Sequence, residues 1–295
     1  PERQTMSLSI LHDSAMLDRL QLALREDVGM GDITTECTVP SDLPGTGKFI
    51  AKANGVLSGL EVAATVLALV DDGLRVEAAL DDGMPLLRGM TIATVRGSVA
   101  SMLTAERVAL NYLQRMSGIA TATASYMKLV EGTKVRIMDT RKTVPGLRAF
   151  DKLAVRHGRG SNHRFGLDDM VLIKDNHIAA AGGLRSAVEL VAARLPADST
   201  LRIEVETDTL TQVMEALACE RLHVIMLDNF SIDDMHTAVN IIRHRRPDIQ
   251  IEASGNVNES TVRAIAETGV DMISIGALTH SVRALDISFD IVQQA

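Results

Sequence analysis

The length, composition and charge of this chain exclude several classes of protein. Its 295 residues are 46% hydrophobic and 23% charged, which excludes a disordered or collagen-like chain and indicates one large or two ordinary globular domains. A net charge of −8 argues against a nucleic-acid-binding protein, and an aromatic content of 2% favours an aliphatic core of helices packed on a parallel sheet.

The start of the chain gives no sign of export. The first ten residues, PERQTMSLSI, lack the basic start, apolar stretch and cleavage site of a secretory signal. No apolar run in the chain reaches the length of about 20 residues that a bilayer crossing requires. The two cysteines, Cys37 and Cys219, lie outside any CxxC pair, so we expect neither disulfides nor a zinc site. Together these features predict a cytoplasmic protein that does not enter a membrane.

The first 115 residues are predicted to form a small α/β layer. Apolar residues at helical spacing predict a helix over Ala15–Arg25, and a longer helix is predicted to open at Thr104 with an interruption at residues 116–118. Apolar runs between turn residues predict strands over Phe49–Ala53, Arg75–Ala79 and Thr91–Val99.

After residue 115, short apolar strands alternate with segments of helical periodicity. The predicted strands are Val135–Met138, Met170–Ile173, Leu201–Val205, His223–Leu227, Ile249–Ala253 and Asp271–Ile275. The predicted helices are Leu184–Arg194, Leu210–Leu217, Ile232–Arg243 and Glu259–Thr268. Six strands with helical crossovers indicate a parallel (β/α) barrel, although periodicity alone does not exclude a doubly wound open sheet.

One segment has a charge opposite to that of the whole chain. The residues from Arg136 to Lys174 include nine Lys or Arg and four Asp, a net charge of +5 in a chain of net charge −8. Such a segment is typical of a site for a small polyanion, and the alternative is a solvated helix face.

Polar residues and glycines follow one predicted strand after another. In a parallel barrel such positions meet at one rim, where active sites lie, whereas any single one can be an ordinary cap or turn residue. The residues are Asp139–Lys142, Lys174–His177, Glu204 and Glu206, Asp228 and Asn229, Ser254–Asn256, and Gly276.

Four of the cations are candidates for anion binding. Arg141, Lys142, Arg164 and Lys174 repel one another at close range, so a fold that gathers them needs a counter-anion. A mixture of Arg and Lys suits a ligand with more than one carboxylate or phosphate. His163 is a candidate to hydrogen-bond the same ligand, with a structural histidine as the alternative.

Carboxylates and glycines supply two further candidate sites. Glu204 and Glu206 face the same side of one strand, and Asp228 ends the next, so they can hold Mg²⁺ with substrate phosphate or form salt bridges to the cations. At the last two strands, Ser254–Asn256 and Gly276–Ala277 expose backbone amides that can bind a phosphate.

Eight stretches of the chain resemble the quinolinate phosphoribosyltransferase family, whose members are also called carboxylating nicotinate-nucleotide pyrophosphorylases. They keep the family's order over nearly the whole chain, and the series RKT…NHR…KDNH is the most specific. The stretches are Glu26–Thr35, Ala105–Thr121, Asp139–Arg148, Asn162–Ile178, Ile203–Thr207, Ile225–Phe230, Ile251–Val257 and Ile273–Ser281.

The resemblance implies an open α/β sandwich over residues 1–115 and an incomplete parallel (α/β) barrel over residues 116–281. The tail 282–295 is expected to return to the sandwich, with a strand or helix over Ala284–Val292. The resemblance also implies a homodimer or homohexamer with shared active sites, in which Arg107 reaches the partner's substrate. The sequence alone favours the alternative that Arg107 is an exposed helix arginine.

The implied reaction joins quinolinate to 5-phosphoribosyl-1-pyrophosphate and yields nicotinate mononucleotide, pyrophosphate and CO₂ in NAD biosynthesis. The resemblance assigns catalysis to Lys142, Glu206 and Asp228, and it places Mg²⁺ on Glu206 and Asp228, with Glu204 as a further candidate ligand. The implied substrate-binding residues are Arg107, Thr140, Arg141, Lys142, His163, Arg164, Lys174, Ser254, Gly255, Asn256, Gly276 and Ala277.

One position departs from the family pattern, and three rival functions are open. Arg159 stands where members often have glycine, which leaves the reaction unchanged but puts the local loop geometry in doubt. The rivals are a relative with another phosphoribosyl acceptor, a Schiff-base lyase that uses Lys174, and a non-enzymatic sensor of a phosphate ligand. The presence of the whole cationic set argues against the first rival.

Overall fold

The computed structural model describes residues 13–292, which contain eleven helices and twelve strands. The helices are α1 (Ser14–Val28), α2 (Ile33–Thr38), α3 (Leu60–Val70), α4 (Val99–Leu129), α5 (Arg148–His157), α6 (Asp175–Ala181), α7 (Leu184–Arg194), α8 (Leu210–Leu217), α9 (Ile232–Arg245), α10 (Val262–Glu267) and α11 (Ala277–His280). The strands are β1 (Pro44–Ala51), β2 (Gly55–Val56), β3 (Arg75–Ala78), β4 (Pro85–Leu86), β5 (Thr91–Ser98), β6 (Arg136–Met138), β7 (Val171–Ile173), β8 (Ile203–Thr207), β9 (Val224–Asp228), β10 (Gln250–Ser254), β11 (Met272–Ser274) and β12 (Ile287–Val292).

The structure addresses the prediction about membrane spans but not the prediction about a secretory signal. Within the described residues, no helix has both the length and the hydropathy of a membrane span. The first ten residues, on which the prediction about a secretory signal rests, lie outside the described residues.

The described residues form two compact units, each built from separate stretches of sequence. Residues 13–124, 143–159 and 278–292 form the first unit, and residues 125–142 and 160–277 form the second. The division of the chain near residue 115 stays a prediction, because these units are defined by contacts and α4 contributes residues to both.

A four-stranded antiparallel sheet forms the centre of the first unit, in the order β12-β1-β5-β3. Strand β12 pairs with β1 from Val292 opposite Thr46 to Ile287 opposite Ala51. The ring of Phe289 packs 4.7 Å from that of Phe49, centroid to centroid. The two strands, which are far apart in sequence, therefore share one core.

Helix α1 shows why the predicted pattern folds as it does. Asp13 begins the helix, because its side chain accepts a hydrogen bond from the Met16 backbone N–H at 3.1 Å. Met16, Leu20 and Leu24 are buried on one face of the helix, as a spacing of four residues requires.

Helix α4 is continuous from Val99 to Leu129, so the predicted interruption at residues 116–118 is wrong. Gly118 lies inside the helix, and a Cβ at this position would collide with the backbone carbonyl oxygen of Arg283. Met116 and Ser117 are fully buried in the same turn. Close approach of another backbone, rather than a turn, explains the glycine.

Six parallel strands form the sheet of the second unit, in the order β6-β11-β10-β9-β8-β7. The first strand in sequence, β6, lies beside the last one, β11, as in a barrel that is open between β6 and β7. A doubly wound sheet would instead place its first strand in the middle. The predicted incomplete parallel barrel is confirmed, and its carboxyl strand ends meet at one rim.

Candidate active site

The rim of the barrel surrounds a cavity of about 400 Å³ in the second unit. Nine residues predicted from the sequence line it: Thr140, Arg141, Lys142, His163, Arg164, Lys174, Glu206, Asp228 and Ser254. The other lining residues are Leu172, Met226, Glu252 and Ser274. The strand ends thus bring together most of the predicted cations and carboxylates.

The cations lie on two segments of the chain. Arg141 and Lys142 follow β6, whereas Arg164 precedes β7 and Lys174 directly follows it. Thr140 fixes the first segment, because its Oγ1 accepts the Lys142 backbone N–H at 3.0 Å. Arg164 is held by the Met170 carbonyl oxygen, 3.2 Å from Nη1. Burial, followed by the neighbouring Arg141 guanidinium, lowers the pKa of Arg164, so these two cations lie close enough to repel. A bound anion would relieve this repulsion.

A buried aspartate ties the two cationic segments together. Asp139, which directly follows β6, is fully buried. Its carboxylate accepts the His163 backbone N–H at 2.8 Å and the Asn162 side-chain amide at 2.5 Å. The segment that carries Arg141 is therefore fixed to the segment that carries Arg164.

His163, which lines the cavity, contacts two carboxylates. Its Nε2 atom lies 3.2 Å from Glu204 Oε2 and 3.3 Å from Glu252 Oε2. The three side chains line a second space of about 140 Å³, and both glutamates are buried. The Arg164 backbone N–H donates to Nδ1 at 2.8 Å, so the ring hydrogen lies on Nε2, between the carboxylates.

This buried cluster holds protons more tightly than its members would in water. Burial, then the charge of Glu252, raises the pKa of Glu204 to about 7, despite the opposing effect of His163. Burial opposes protonation of His163, but its hydrogen bonds to Glu204 and Glu252 outweigh it and raise the pKa of His163 to about 10. Because Nδ1 accepts a hydrogen bond, the ring carries its hydrogen on Nε2, and the geometry supports retention of a proton by the three side chains together.

A separate group of carboxylates lies at the rim. Ligand oxygens of Glu206, Asp208 and Asp228 lie within 4.8 Å of one another. The ammonium group of Lys174 already contacts one of them, with Nζ 2.7 Å from Glu206 Oε2. Hard carboxylate oxygens that attract a cation fit the ligand preferences of Mg²⁺. Glu204, the further candidate ligand, instead lies with His163 and Glu252.

The ends of β9 and β10 carry three residues with left-handed backbone. Their φ angles are 55° at Asn229, 87° at Gly255 and 49° at Asn256. The Asn256 side chain donates to Asn229 Oδ1 at 2.9 Å, and the Asn229 backbone N–H donates to the Ser254 carbonyl at 2.9 Å. A Cβ at Gly255 would collide with the Asn229 side chain, so this position requires glycine. Such conformations cluster at functional sites.

The remaining predicted residues lie outside the cavity lining that the described residues form. Gly255 and Asn256 follow β10, and Gly276 and Ala277 follow the neighbouring β11. Arg107 lies on α4 in the first unit, where its side chain is 57% exposed and its guanidinium is 3.9 Å from Glu106.

Two acidic residues of the site were not among the predicted ones. Glu252 lies two residues before Ser254 on β10 and faces the same side, and Asp208 lies two residues after Glu206. The same two-residue spacing that linked Glu204 to Glu206 is therefore the signal that could have found both.

The departure at Arg159 has a local structural explanation. Arg159 has a φ of 67°, in the left-handed region that glycine adopts without strain. It directly follows Gly158, where a Cβ would contact the Ala120 carbonyl and Thr123. The backbone therefore keeps the conformation that a glycine run favours, at some cost in strain at Arg159.

Comparison with known proteins covers nearly the whole chain. Residues 32–117 match the family model for the N-terminal domain of quinolinate phosphoribosyl transferase, and residues 119–290 match the model for its C-terminal domain. The probable carboxylating nicotinate-nucleotide pyrophosphorylase of Synechocystis sp. is 44% identical over 274 residues, which cover 93% of this chain and 92% of the relative.

A second relative and a solved structure agree with this match. The carboxylating nicotinate-nucleotide pyrophosphorylase of Mycobacterium leprae is 45% identical over 287 residues, covering 96% of this chain and 100% of the relative. The solved structure of the nicotinate-nucleotide pyrophosphorylase of Francisella tularensis has a TM-score of 0.89 at 37% identity, covering 98% of this chain and 100% of that one. This chain belongs to the quinolinate phosphoribosyltransferase family.

Proposed function

We propose that this chain transfers the phosphoribosyl group of 5-phosphoribosyl-1-pyrophosphate to quinolinate, with loss of CO₂, and so forms nicotinate mononucleotide for NAD biosynthesis. The observation that carries the proposal is a single cavity lined by both the cations and the carboxylates Glu206 and Asp228. Family membership supports it, since the curated relatives are named for this enzyme.

The cationic side of the cavity suits the acceptor. Quinolinate carries two adjacent carboxylates, and Arg141, Lys142, Arg164 and Lys174 together can neutralise both. A volume of about 400 Å³ is in the range of small-molecule sites. In this proposal His163, which lines the cavity, also supports the site through its contacts with Glu204 and Glu252.

The acidic side of the cavity suits the donor. Glu206 and Asp228, with Asp208 in the same cluster, would hold Mg²⁺. When bound, this ion supplies charge neutralisation to the pyrophosphate as it leaves. The segments Ser254–Asn256 and Gly276–Ala277, at neighbouring strand ends, would bind the 5-phosphate through backbone N–H groups.

Catalysis in this site would consist of positioning and electrostatics. The ring nitrogen of quinolinate bonds to C1 of the ribose, and pyrophosphate leaves with the electron pair of the broken C–O bond. The ring carbon beside the now positive nitrogen then loses CO₂, keeps the electron pair and takes up a proton. The cations of the cavity hold the acceptor in line with the donor throughout, and no covalent bond to the protein is required.

We also infer that the protein acts as a homodimer or homohexamer, in which Arg107 of one copy serves the site of another. The exposure of Arg107 on α4 supports this role, because an exposed cation at a surface can meet an anion bound to a second copy.

The proposed activity is tested by incubating the protein with carboxyl-labelled quinolinate, 5-phosphoribosyl-1-pyrophosphate and Mg²⁺. We expect CO₂ and nicotinate mononucleotide in equal amounts, and no comparable product from nicotinate, which lacks one of the two carboxylates. Lys142→Ala should lower kcat by about 100-fold or more, because it removes one of the cations that would hold the acceptor and neutralise charge in the cavity, while the circular dichroism spectrum stays unchanged. Absence of CO₂, or a wild-type rate in Lys142→Ala, would contradict the proposal.

A further inference from the structure

Lys174 and Glu206 form a hydrogen-bonded ion pair, although the proposed function assigns them to different ligands. Lys174 belongs to the cations that would hold the acceptor, and Glu206 belongs to the carboxylates that would hold the metal-bound donor. In the structure, Lys174 Nζ lies 2.7 Å from Glu206 Oε2. While the two side chains are paired, Lys174 is not available to the acceptor and Glu206 is not available to the metal-bound donor.

The two side chains differ in their freedom to move. The Glu206 side chain is 11% exposed and lies on β8, which is buried along its whole length. The Lys174 side chain is 45% exposed, while its backbone N–H is fixed by His177 Nδ1 at 2.9 Å. The flexible stem of Lys174 can thus move its ammonium group within the cavity while Glu206 and the main chain stay in place.

We propose that Lys174 couples the binding of the two substrates, by bonding to Glu206 until the metal-bound donor takes that carboxylate and then turning to a carboxylate of the acceptor. This inference rests on the proposed function and adds to it a positioning residue shared by both substrates. A divalent cation on Glu206 repels the ammonium group, so the two cations exclude each other there.

The coupling has a direction that follows from equilibrium linkage. Quinolinate that binds first has to break the pair between Lys174 and Glu206, which weakens its affinity. Quinolinate that binds after the donor finds Lys174 already released. A partly exposed ion pair changes an equilibrium constant by up to about fivefold, and the donor must gain the same factor from quinolinate.

Two variants that remove the same charge separate this coupling from a general charge effect. Glu206 and Asp228 belong to one carboxylate cluster, but Lys174 bonds to Glu206, whereas Asp228 accepts from the Asn229 side chain at 2.7 Å. The experiment is calorimetric titration of wild type, Glu206→Gln and Asp228→Asn with quinolinate in metal-free buffer, with thermal melts to check folding.

We expect Glu206→Gln to bind quinolinate about fivefold more tightly than wild type, and Asp228→Asn to stay within about twofold of it. In Lys174→Met, the Glu206→Gln change should give no further gain. Equal or weaker binding by Glu206→Gln, or equal tightening by both single variants, would overturn the coupling. If wild type releases CO₂ and binds quinolinate, such a result removes the coupling alone, whereas a wild type that does neither removes the proposed function as well.

Discussion

Two carboxylates, those of Glu204 and Glu252, contact the same ring nitrogen of His163. Their protonation determines the charge of this buried cluster. Glu204 and Glu252 both lie within 3.3 Å of Nε2 in a buried space, so full ionisation of the two would leave negative charges facing each other. The cluster avoids this by keeping a proton near neutral pH. It also places negative charge near Arg164. Burial and the charge of Arg141 lower the pKa of Arg164, and the charge of Glu204 raises it.

The retained proton predicts how stability depends on pH. The pKa of Glu204 is raised from 4.5 to about 7 on folding, so the folded protein binds more protons than the unfolded chain between these values. Stability contributed by this group is therefore fully present below about pH 4.5 and is lost as the pH rises through 7.

We expect the melting temperature of the metal-free protein to fall from pH 5 to pH 8 more steeply in wild type than in Glu204→Gln, which cannot ionise. Calorimetric melts at both pH values measure this difference. Glu259→Gln, at an exposed position, is the matched control and should keep the wild-type slope. Equal slopes in wild type and Glu204→Gln would show that the buried carboxyl does not hold the proton.

Among the elements, α4 contains a glycine that predicts a helix break from the sequence but lies within a continuous helix in the structure. A glycine in a helix costs stability relative to alanine, and this cost is the reason that residues 116–118 predict an interruption. In the structure the same residue admits the backbone of Arg283. The sequence contains no local sign of that contact, because its partner lies far away in the chain.

Gly118→Ala should therefore destabilise the protein, although alanine is the better helix former. Helix propensity alone would add about 1 kcal/mol of stability, but overpacking against a backbone carbonyl typically costs about 1–3 kcal/mol. We expect a lower melting temperature for Gly118→Ala and an unchanged or higher one for Ser125→Ala, at an exposed position of the same helix. A rise in Gly118→Ala would mean that the Arg283 contact is not close.

The elements that the sequence predicted share a clear local pattern. Helices α7 and α8 begin and end where their amphipathic spacing predicts, and strands β6 to β11 overlap the predicted apolar runs. Helix α3 was not predicted, because seven of its eleven residues are buried and its sequence is an apolar run without visible periodicity. Helix α5 lies between two barrel strands in sequence but belongs to the first unit, where Phe150 packs on Tyr112.

The candidate site was predictable to the extent that strand ends converge. Arg141, Lys142, Lys174, Asp228 and Ser254 follow or end strands, and parallel strands bring such positions to one rim. Depth along a strand was not predictable in the same way. Glu204 and Glu206 share a face of β8, but one lies beside His163 and the other at the rim.

At the scale of the whole molecule, the proposed shared site makes activity a property of more than one chain. Arg107→Ala and Lys142→Ala should each be nearly inactive alone, since each removes a cation from every site. When the two variants are mixed and reassembled, a mixed dimer regains one intact site. Random reassembly should restore about one quarter of wild-type activity.

The control for this experiment is a mixture of Lys142→Ala with Lys174→Met, two variants of the same cavity. Their mixed dimers contain no intact site, so this mixture should stay inactive. Activity measured across mixing ratios, after gentle unfolding and refolding, distinguishes the two cases. Failure of the Arg107→Ala mixture to recover at any ratio would show that sites are not shared.

The pairing of β12 with β1 also governs how the newly made polypeptide reaches its native state. Strand β1 leaves the ribosome early, but its partner β12 is synthesised only after the entire barrel. One edge of β1 is therefore unpaired until then. An unpaired strand edge is a template for association with other nascent chains. Synthesis of residues 287–292, rather than completion of the first hundred residues, is then the moment at which that edge is protected.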